Sequence, residues 1–305
     1  MVPERLTDRV WGLIGPTNSG ILVADGGRAA VIDPGLDESS ARKVLRLLNE
    51  QGLKAVAIIN THAHADHIGG DRFLHARTGA PVYASSFEAT VVRNPVWEPI
   101  YLAAGALPGG ELESKFFMAE AVADVRDLPA EAARLDLGEG LVVEVVPLPG
   151  HAYGQVGLAY DGVLFTADAF FPPAILAKHG VPFCVDVQAA LASLATLNSV
   201  AARYRRYVPG HGQALDGQGL SESLAANREA FDRLRWMVLE VLAQPRTLDD
   251  LMAALATRIG LSFAGVGQYY LVRTGVTAIL TDLERRGLVA WQAGGPILSW
   301  SATGR

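Results

Sequence analysis

The sequence predicts an α+β protein with a large N-terminal domain, residues 1–220, and a small C-terminal domain, residues 221–305. Two observations predict it. In the first part, short apolar runs rich in β-branched residues, such as 29–33 and 55–59, alternate with amphipathic helical stretches. In the second part, three helical segments are followed by two short strand-like runs around a glycine-rich turn.

The composition is that of a globular cytoplasmic protein. The chain has 305 residues, half of them hydrophobic, so it can bury a sizeable core. Its net charge of −6 gives no general attraction to nucleic acid or to anionic membranes. We find neither a signal peptide nor an apolar run long enough to span a membrane. The single cysteine, Cys184, excludes an internal disulfide and fits a reducing compartment.

Three short strands are expected at 10–14, 21–24 and 29–33, joined by glycine-containing turns. Asp33 ends the third of them. It either orients a metal-ligating histidine or serves as a turn residue before Pro34, and both interpretations stay open. An amphipathic helix is expected over 39–51.

Four metal-ligand side chains then follow one buried strand, predicted at 55–59. They are His62, His64, Asp66 and His67, within six positions of one another. Imidazole nitrogen together with carboxylate oxygen suits zinc, with iron or manganese as alternatives. This density of ligands on one loop predicts a metal site.

Three later runs also deliver a ligand-type residue at the end of an apolar stretch. The motif Leu-Pro-Gly-His ends at His151, Leu-Phe-Thr-Ala-Asp ends at Asp168, and Val-Pro-Gly-His-Gly contains His211. Each motif alone is weak, but their order and spacing are informative.

The pattern His-x-His-x-Asp-His after a strand, followed by these three motifs, resembles the metallo-beta-lactamase superfamily over about residues 5 to 215. The resemblance implies a four-layer αβ/βα sandwich with two metals at the edge between its sheets. It also implies a ligand set in which one metal is held by His62, His64 and His151, the second by Asp66, His67 and His211, and both by Asp168.

The resemblance further implies that a hydroxide bridging two zinc ions attacks a carbonyl, with Asp66 and Asp168 as catalytic residues. His64 stands where the superfamily's di-iron oxygen reductases have glutamate, which favours a zinc hydrolase. The chain is most similar to the glyoxalase-II-like group, which hydrolyses thioesters, lactones and other small esters. Two alternatives stay open. One is a phosphodiesterase or single-strand endoribonuclease using the same metals, and the other is a weakly catalytic regulatory protein that binds DNA through its tail.

The segment 85–133 is aromatic and interrupted by prolines and glycines. We expect an insertion that closes over the site, contributes to a homodimer or packs on the core. Trp97 and Tyr101 within it, and Phe170 after the third motif, are candidates for the substrate pocket.

The tail is predicted to contain helices over 221–243, 247–260 and 268–286 and a hairpin over 288–300, which resembles a winged helix. Its net charge from residue 240 onward is only +1, without a basic stripe that could engage phosphates. This favours packing or dimerisation over nucleic-acid binding. The expected partner is therefore a small-molecule substrate and not a membrane, and a homodimer and nucleic-acid binding stay open as alternatives.

Overall fold

The structure is a computed structural model that describes residues 1–128, 134–294 and 296–303. The end of the predicted 85–133 segment, the turn residue at 295 and the last two residues of the tail therefore lie outside the described residues.

Two sheets form the centre of the N-terminal part. The first has seven strands, in spatial order β1 (Val2–Arg5), β2 (Val10–Ile14), β3 (Ser19–Val23), β4 (Arg28–Ile32), β5 (Lys54–Ile59), β6 (Val82–Ser85) and β7 (Val125–Leu128). The second has five, numbered along the chain as β8 (Arg134–Asp136), β9 (Val142–Pro147), β10 (Val156–Tyr160), β11 (Val163–Ala167) and β12 (Arg206–Pro209). The first sheet is antiparallel up to β4 and parallel from β4 onward. In the second sheet only the pair β11–β12 is parallel.

Helices cover the outer faces of both sheets, α1, α3 and α4 on the first and α7 and α8 on the second. The helices of the described residues are α1 (Glu38–Glu50), α2 (Ala65–Ile68), α3 (Asp71–Thr78), α4 (Ser86–Arg93), α5 (Trp97–Leu102), α6 (Pro173–His179), α7 (Val187–Ser199), α8 (Gly217–Val241), α9 (Leu248–Ile259) and α10 (Val266–Arg285). The last two strands, β13 (Val289–Gly294) and β14 (Ile297–Ala302), form a separate hairpin.

The alternation of side chains along the strands explains the four layers. In β4, Val31 points outward to the cluster that contains α1 and α3, while Ala30 and Ile32 point inward to the second sheet. In the second sheet, Leu164 packs outward on α7 and α8, whereas Phe165 packs inward. Because both faces of the central strands are covered, β4, β10 and β11 are almost continuously apolar. The predicted four-layer sandwich is confirmed.

The structure adds three elements that the sequence analysis did not predict. Val2–Arg5 is an edge strand. The sequence does not indicate it, because these residues show little alternation between polar and apolar side chains. A short helix follows Pro172, in a stretch for which the sequence predicted no element. The segment 85–133 is more than an insertion, because it ends in β7, which extends the first sheet by pairing with β6.

The tail contains the three helices and the hairpin that the sequence predicts, and Thr247 caps α9 through its hydroxyl. Its core is continuous with the N-terminal part, since Cys184 and Val187 belong to the same buried cluster as Val238 and Ile279. Residue 221 lies inside α8, so the boundary at 220 and the winged-helix assignment stay predictions. None of the described helices is long and apolar enough to cross a membrane.

Candidate metal centre

The loops that follow β5, β9, β11 and β12 meet at one edge of the sandwich. They bring together all seven side chains predicted as ligands: His62, His64, Asp66, His67, His151, Asp168 and His211. The buried strands fix where each loop begins, and the loops themselves need only a few residues to converge.

Three imidazoles form the first cluster. Nδ1 of His64 lies 3.1 Å from Nε2 of His62 and 2.9 Å from Nε2 of His151. Burial lowers the pKa of His64 to about 3 and lowers the pKa values of the other two histidines as well. The three rings are therefore neutral, which is the form that binds a metal.

The remaining ring nitrogens of this cluster face other groups. Nδ1 of His151 lies 3.1 Å from the Phe183 carbonyl, and Nε2 of His64 lies 3.1 Å from the Tyr101 hydroxyl. Such contacts fix ring orientation and tautomer, so that the three facing nitrogens point at a common centre.

The second cluster combines two imidazoles with a carboxylate. Oδ2 of Asp66 lies 3.8 Å from Nε2 of His67 and 3.5 Å from Nε2 of His211. Burial lowers the pKa of both rings, but the neighbouring carboxylates raise it by more. As a result, the pKa of His67 is raised to about 9 and that of His211 to about 10. This half of the centre therefore attracts positive charge.

Asp168 lies between the two clusters. Its Oδ1 is 3.7 Å from Nε2 of His67, and its Oδ2 is 3.5 Å from Nε2 of His151 and 3.1 Å from Nε2 of His211. Burial alone would raise the pKa of Asp168, but His211 and the other imidazoles lower it well below its usual value. The side chain is an anion that reaches both clusters.

These donors fit a pair of divalent metal ions. Nε2 of His67 and Oδ1 of Asp168 are buried, and neither has a hydrogen-bond partner among the described residues. Buried polar atoms are normally paired, and an ion would satisfy both. Nitrogens bound to one tetrahedral zinc lie roughly 3.4 Å apart. The facing nitrogens of the first cluster, at 3.1 and 2.9 Å, are only slightly closer than that.

Asp33 contacts the back of the second cluster. Its Oδ2 lies 2.8 Å from Nδ1 of His67 and accepts a 2.6 Å hydrogen bond from the Thr61 hydroxyl, while Oδ1 accepts the Thr61 N–H. Asp33 also lies close enough to His62 and His67 to form a third group of potential ligands. Because its oxygens are already engaged, orientation of His67 suits it better than direct coordination.

Two turn residues contact the centre although the sequence does not indicate a role for them. The Thr17 hydroxyl donates a 2.8 Å hydrogen bond to Oδ2 of Asp66. The Asn18 amide donates to the carbonyls of Pro209 and Gly212, 2.8 Å each, and so holds the loop that carries His211. No motif indicates them, because single polar residues in a glycine-containing turn are common.

Two buried glutamates of the 85–133 segment hold the metal-ligand loop. Glu88 accepts hydrogen bonds from the N–H groups of Ala63, over 2.8 Å, and Gly154, over 2.7 Å. Glu98 accepts one from the N–H of Ala65, over 3.0 Å. Ala63 and Ala65 alternate with His62, His64 and Asp66 along the chain, so the two carboxyl groups fix the spacing of these ligands.

A cavity of about 500 Å³ opens over the centre. It is bounded by ligands including His64 and His211 and by apolar walls that include Phe171 and Phe183. Residues of α10, from the tail, complete the opposite wall. A small molecule can therefore reach the centre from this side.

The three pocket candidates are placed differently. Tyr101 contacts His64 as described. Trp97 is 48% exposed and lines a separate cavity of about 630 Å³ between the 85–133 segment and α10. Phe170 is only 1% exposed and packs in the core beneath α7 and α8, so the assignment of Phe170 to the substrate pocket is corrected. Its neighbour Phe171 lines the cavity instead.

Comparison with known proteins identifies a family. A sequence model described as the Metallo-beta-lactamase superfamily matches residues 13–211. A hydroxyacylglutathione hydrolase from Gloeobacter violaceus is 34% identical over 146 residues, which are 47% of this chain and 44% of that protein. The chain thus spans less than half the length of this curated relative.

Two solved structures share the fold over nearly the whole chain. A beta-lactamase domain protein from Burkholderia ambifaria has a TM-score of 0.76 at 18% identity, covering 99% of this chain and 93% of that one. A metallo-beta-lactamase family protein from Thermus thermophilus has a TM-score of 0.73 at 22% identity, covering 97% and 99%. At these identities the likeness concerns the fold alone. The arrangement that includes the tail is therefore one that other proteins adopt.

Proposed function

Because the chain belongs to the metallo-beta-lactamase superfamily, we propose that it is a hydrolase that uses two zinc ions to cleave a small ester, thioester or lactone. The observation that carries this proposal is the convergence of a neutral imidazole cluster and a carboxylate-rich cluster on Asp168, at the floor of an open cavity.

Each cluster would hold one ion. The residues are His62, His64 and His151 for the first, Asp66, His67 and His211 for the second, and Asp168 for both. Two such ions, when bound, would lower the pKa of a bound water towards neutrality and would polarise a carbonyl group.

The protein's own groups would orient and protect this chemistry. Asp66 accepts the Thr17 hydroxyl at Oδ2 and lines the cavity, where its free lone pairs can accept a proton from an attacking water. Phe171 and Phe183 border the histidines and limit the access of bulk water. A drier site strengthens every electrostatic interaction inside it.

The cavity favours a carbonyl substrate over a phosphodiester. Among the described residues that line it, Lys178 is the one lysine or arginine. A nucleic-acid backbone is normally engaged by several lysines or arginines. The Gloeobacter relative is named as a hydrolase of an acyl compound, hydroxyacylglutathione, which is consistent with the proposal.

The test is a hydrolysis assay of zinc-loaded protein. It compares S-lactoylglutathione and a simple lactone with bis-p-nitrophenyl phosphate and a single-stranded RNA, each with and without a chelator. We expect chelator-sensitive turnover of carbonyl substrates only. Asp168→Ala should abolish it, whereas Asp161→Ala, which removes a carboxylate on a surface turn, should retain it. Turnover confined to the phosphodiesters would overturn the proposal.

A further inference from the structure

The walls of the cavity above the metal centre are apolar and come from three separate segments. Phe116 and Phe117 belong to the 85–133 segment, Phe183 precedes α7, and Leu271 and Val272 lie on α10. An acyl group attached to a carbonyl at the floor of the cavity would contact these side chains.

Two glycines hold α10 tightly against this cavity. A Cβ atom on Gly267 would lie 2.3 Å from the ring of Phe117, and one on Gly275 would lie 3.1 Å from the Pro182 carbonyl and the Val181 side chain. Real Cβ atoms do not approach a ring as closely as 2.3 Å. The helix therefore packs directly on the residues around the cavity, and its Leu271 and Val272 form a fixed wall.

Few polar groups away from the floor could bind a polar acyl group. Lys178 is exposed, Gln268 already accepts a hydrogen bond at Oε1 from the Ala264 N–H over 2.8 Å, and Glu98 accepts one from the Ala65 N–H over 3.0 Å. A hydroxylated acyl group would lose water here without gaining enough partners. A methylene group, by contrast, gains from burial wherever a wall is apolar.

We infer that the acyl part of the substrate is a hydrocarbon chain of several carbons, and that Leu271 and Val272 of the C-terminal domain determine its preferred length. This inference rests on the proposed ester or thioester hydrolysis. It assigns α10 a role in specificity, in addition to its role in the core.

The first experiment measures kcat/KM of the zinc-loaded full chain on p-nitrophenyl acetate, butyrate, hexanoate and octanoate. Each methylene that enters the cavity should raise kcat/KM about fourfold until the cavity is full. Val272→Phe fills space and should move the optimum to a shorter chain. Leu271→Ala creates space and should move it to a longer one. Thr277→Val, on an exposed turn of α10 outside this cavity, is the control and should leave the optimum unchanged.

The two variants act in opposite directions, so a general loss of activity cannot imitate the expected result. Rates that do not rise with chain length, or an optimum that stays the same in both variants, would overturn the inference while leaving the hydrolase proposal intact.

A second measurement separates the inference from the hydrolase proposal. Binding of butanoate, hexanoate and octanoate to the zinc-loaded protein is followed by calorimetry. Affinity that rises with chain length and responds to Val272→Phe would support the acyl site even if no ester were cleaved. Equal or absent binding of all three acids would count against it.

Discussion

Asp33 and His67 form a buried contact in which carboxylate Oδ2 lies 2.8 Å from ring Nδ1. The contact leaves Nε2 of the ring directed at Asp66 and Asp168. Asp33 has a φ of 44°, in the left-handed region, so the backbone is strained to place this carboxylate.

Asp33→Asn should weaken metal binding at the second cluster by roughly 10- to 100-fold. Asparagine tolerates this φ, but it cannot accept hydrogen bonds from Thr61 and His67 with both of its polar atoms. We expect metal analysis to show a fall from two ions per chain towards one under a competing chelator. Asp161→Asn is the matched control, because Asp161 has a φ of 46° in a turn distant from the centre. Equal metal content in the two variants would contradict the role of Asp33.

The two glutamates should respond differently to amidation. Both oxygens of Glu88 accept backbone N–H groups, so Glu88→Gln turns one acceptor into a donor that faces another donor. We expect a loss of about 1–3 kcal/mol in the free energy of unfolding, with weaker metal binding.

Burial and the nearby Asp66 raise the pKa of Glu98 well above its usual value, so this group is a neutral acid that accepts one hydrogen bond. Glu98→Gln should therefore change stability by about 0.5 kcal/mol or less.

Chemical denaturation of the metal-free proteins measures these differences, and a chelator titration measures the change in metal affinity. Equal destabilisation by the two amides would show that Glu98 is ionised as well. Unchanged metal affinity in Glu88→Gln would show that its hydrogen bonds do not set the ligand spacing.

The ligand residues could be predicted from the sequence because they are dense, chemically distinctive and attached to recognisable strands. Glu88 and Glu98 could not, because a single acid in a helical stretch is ordinarily exposed and only the tertiary structure buries it. Phe170 and Phe171 show a different limit. The sequence indicates an aromatic residue beside the centre, but only the tertiary structure shows that Phe171 and not Phe170 faces the cavity.

The sequence pattern also could not predict where the backbone is strained. Ala167 has a φ of 50° immediately before Asp168, a backbone conformation that glycine adopts more readily than alanine. The strand β11 and the hydrogen bond from the Gly210 N–H to the Ala167 carbonyl hold it there. Nothing in the preference of alanine for helices would indicate this conformation.

Gly210→Ala should disrupt the centre without a change of any ligand. A Cβ atom at this position would lie 1.9 Å from Oδ1 of Asp168 and 2.9 Å from Cε1 of His67. One of these side chains must move, so we expect loss of the second metal ion and at least about a hundredfold loss of kcat, as small misplacements of reacting groups are costly. Gly217→Ala is the control, since a Cβ atom there meets nothing within 4 Å. Full metal content and activity in Gly210→Ala would show that the loop can relax.

Metal loading should release protons from one cluster and not from the other. With carboxylates around them, His67 and His211 have pKa values of about 9 and about 10, so both are protonated at pH 7 without metal. Each must lose its proton to bind an ion, whereas the first cluster, with lowered pKa values, is already neutral. Calorimetry in buffers of different ionisation enthalpy should therefore detect up to about two protons released for the second ion and almost none for the first. The release should decline, and affinity for the second ion should level off, as pH rises through about 9 to 10. Proton release that is equal for both ions, or independent of pH, would mean that the carboxylates do not hold these imidazoles in their charged form.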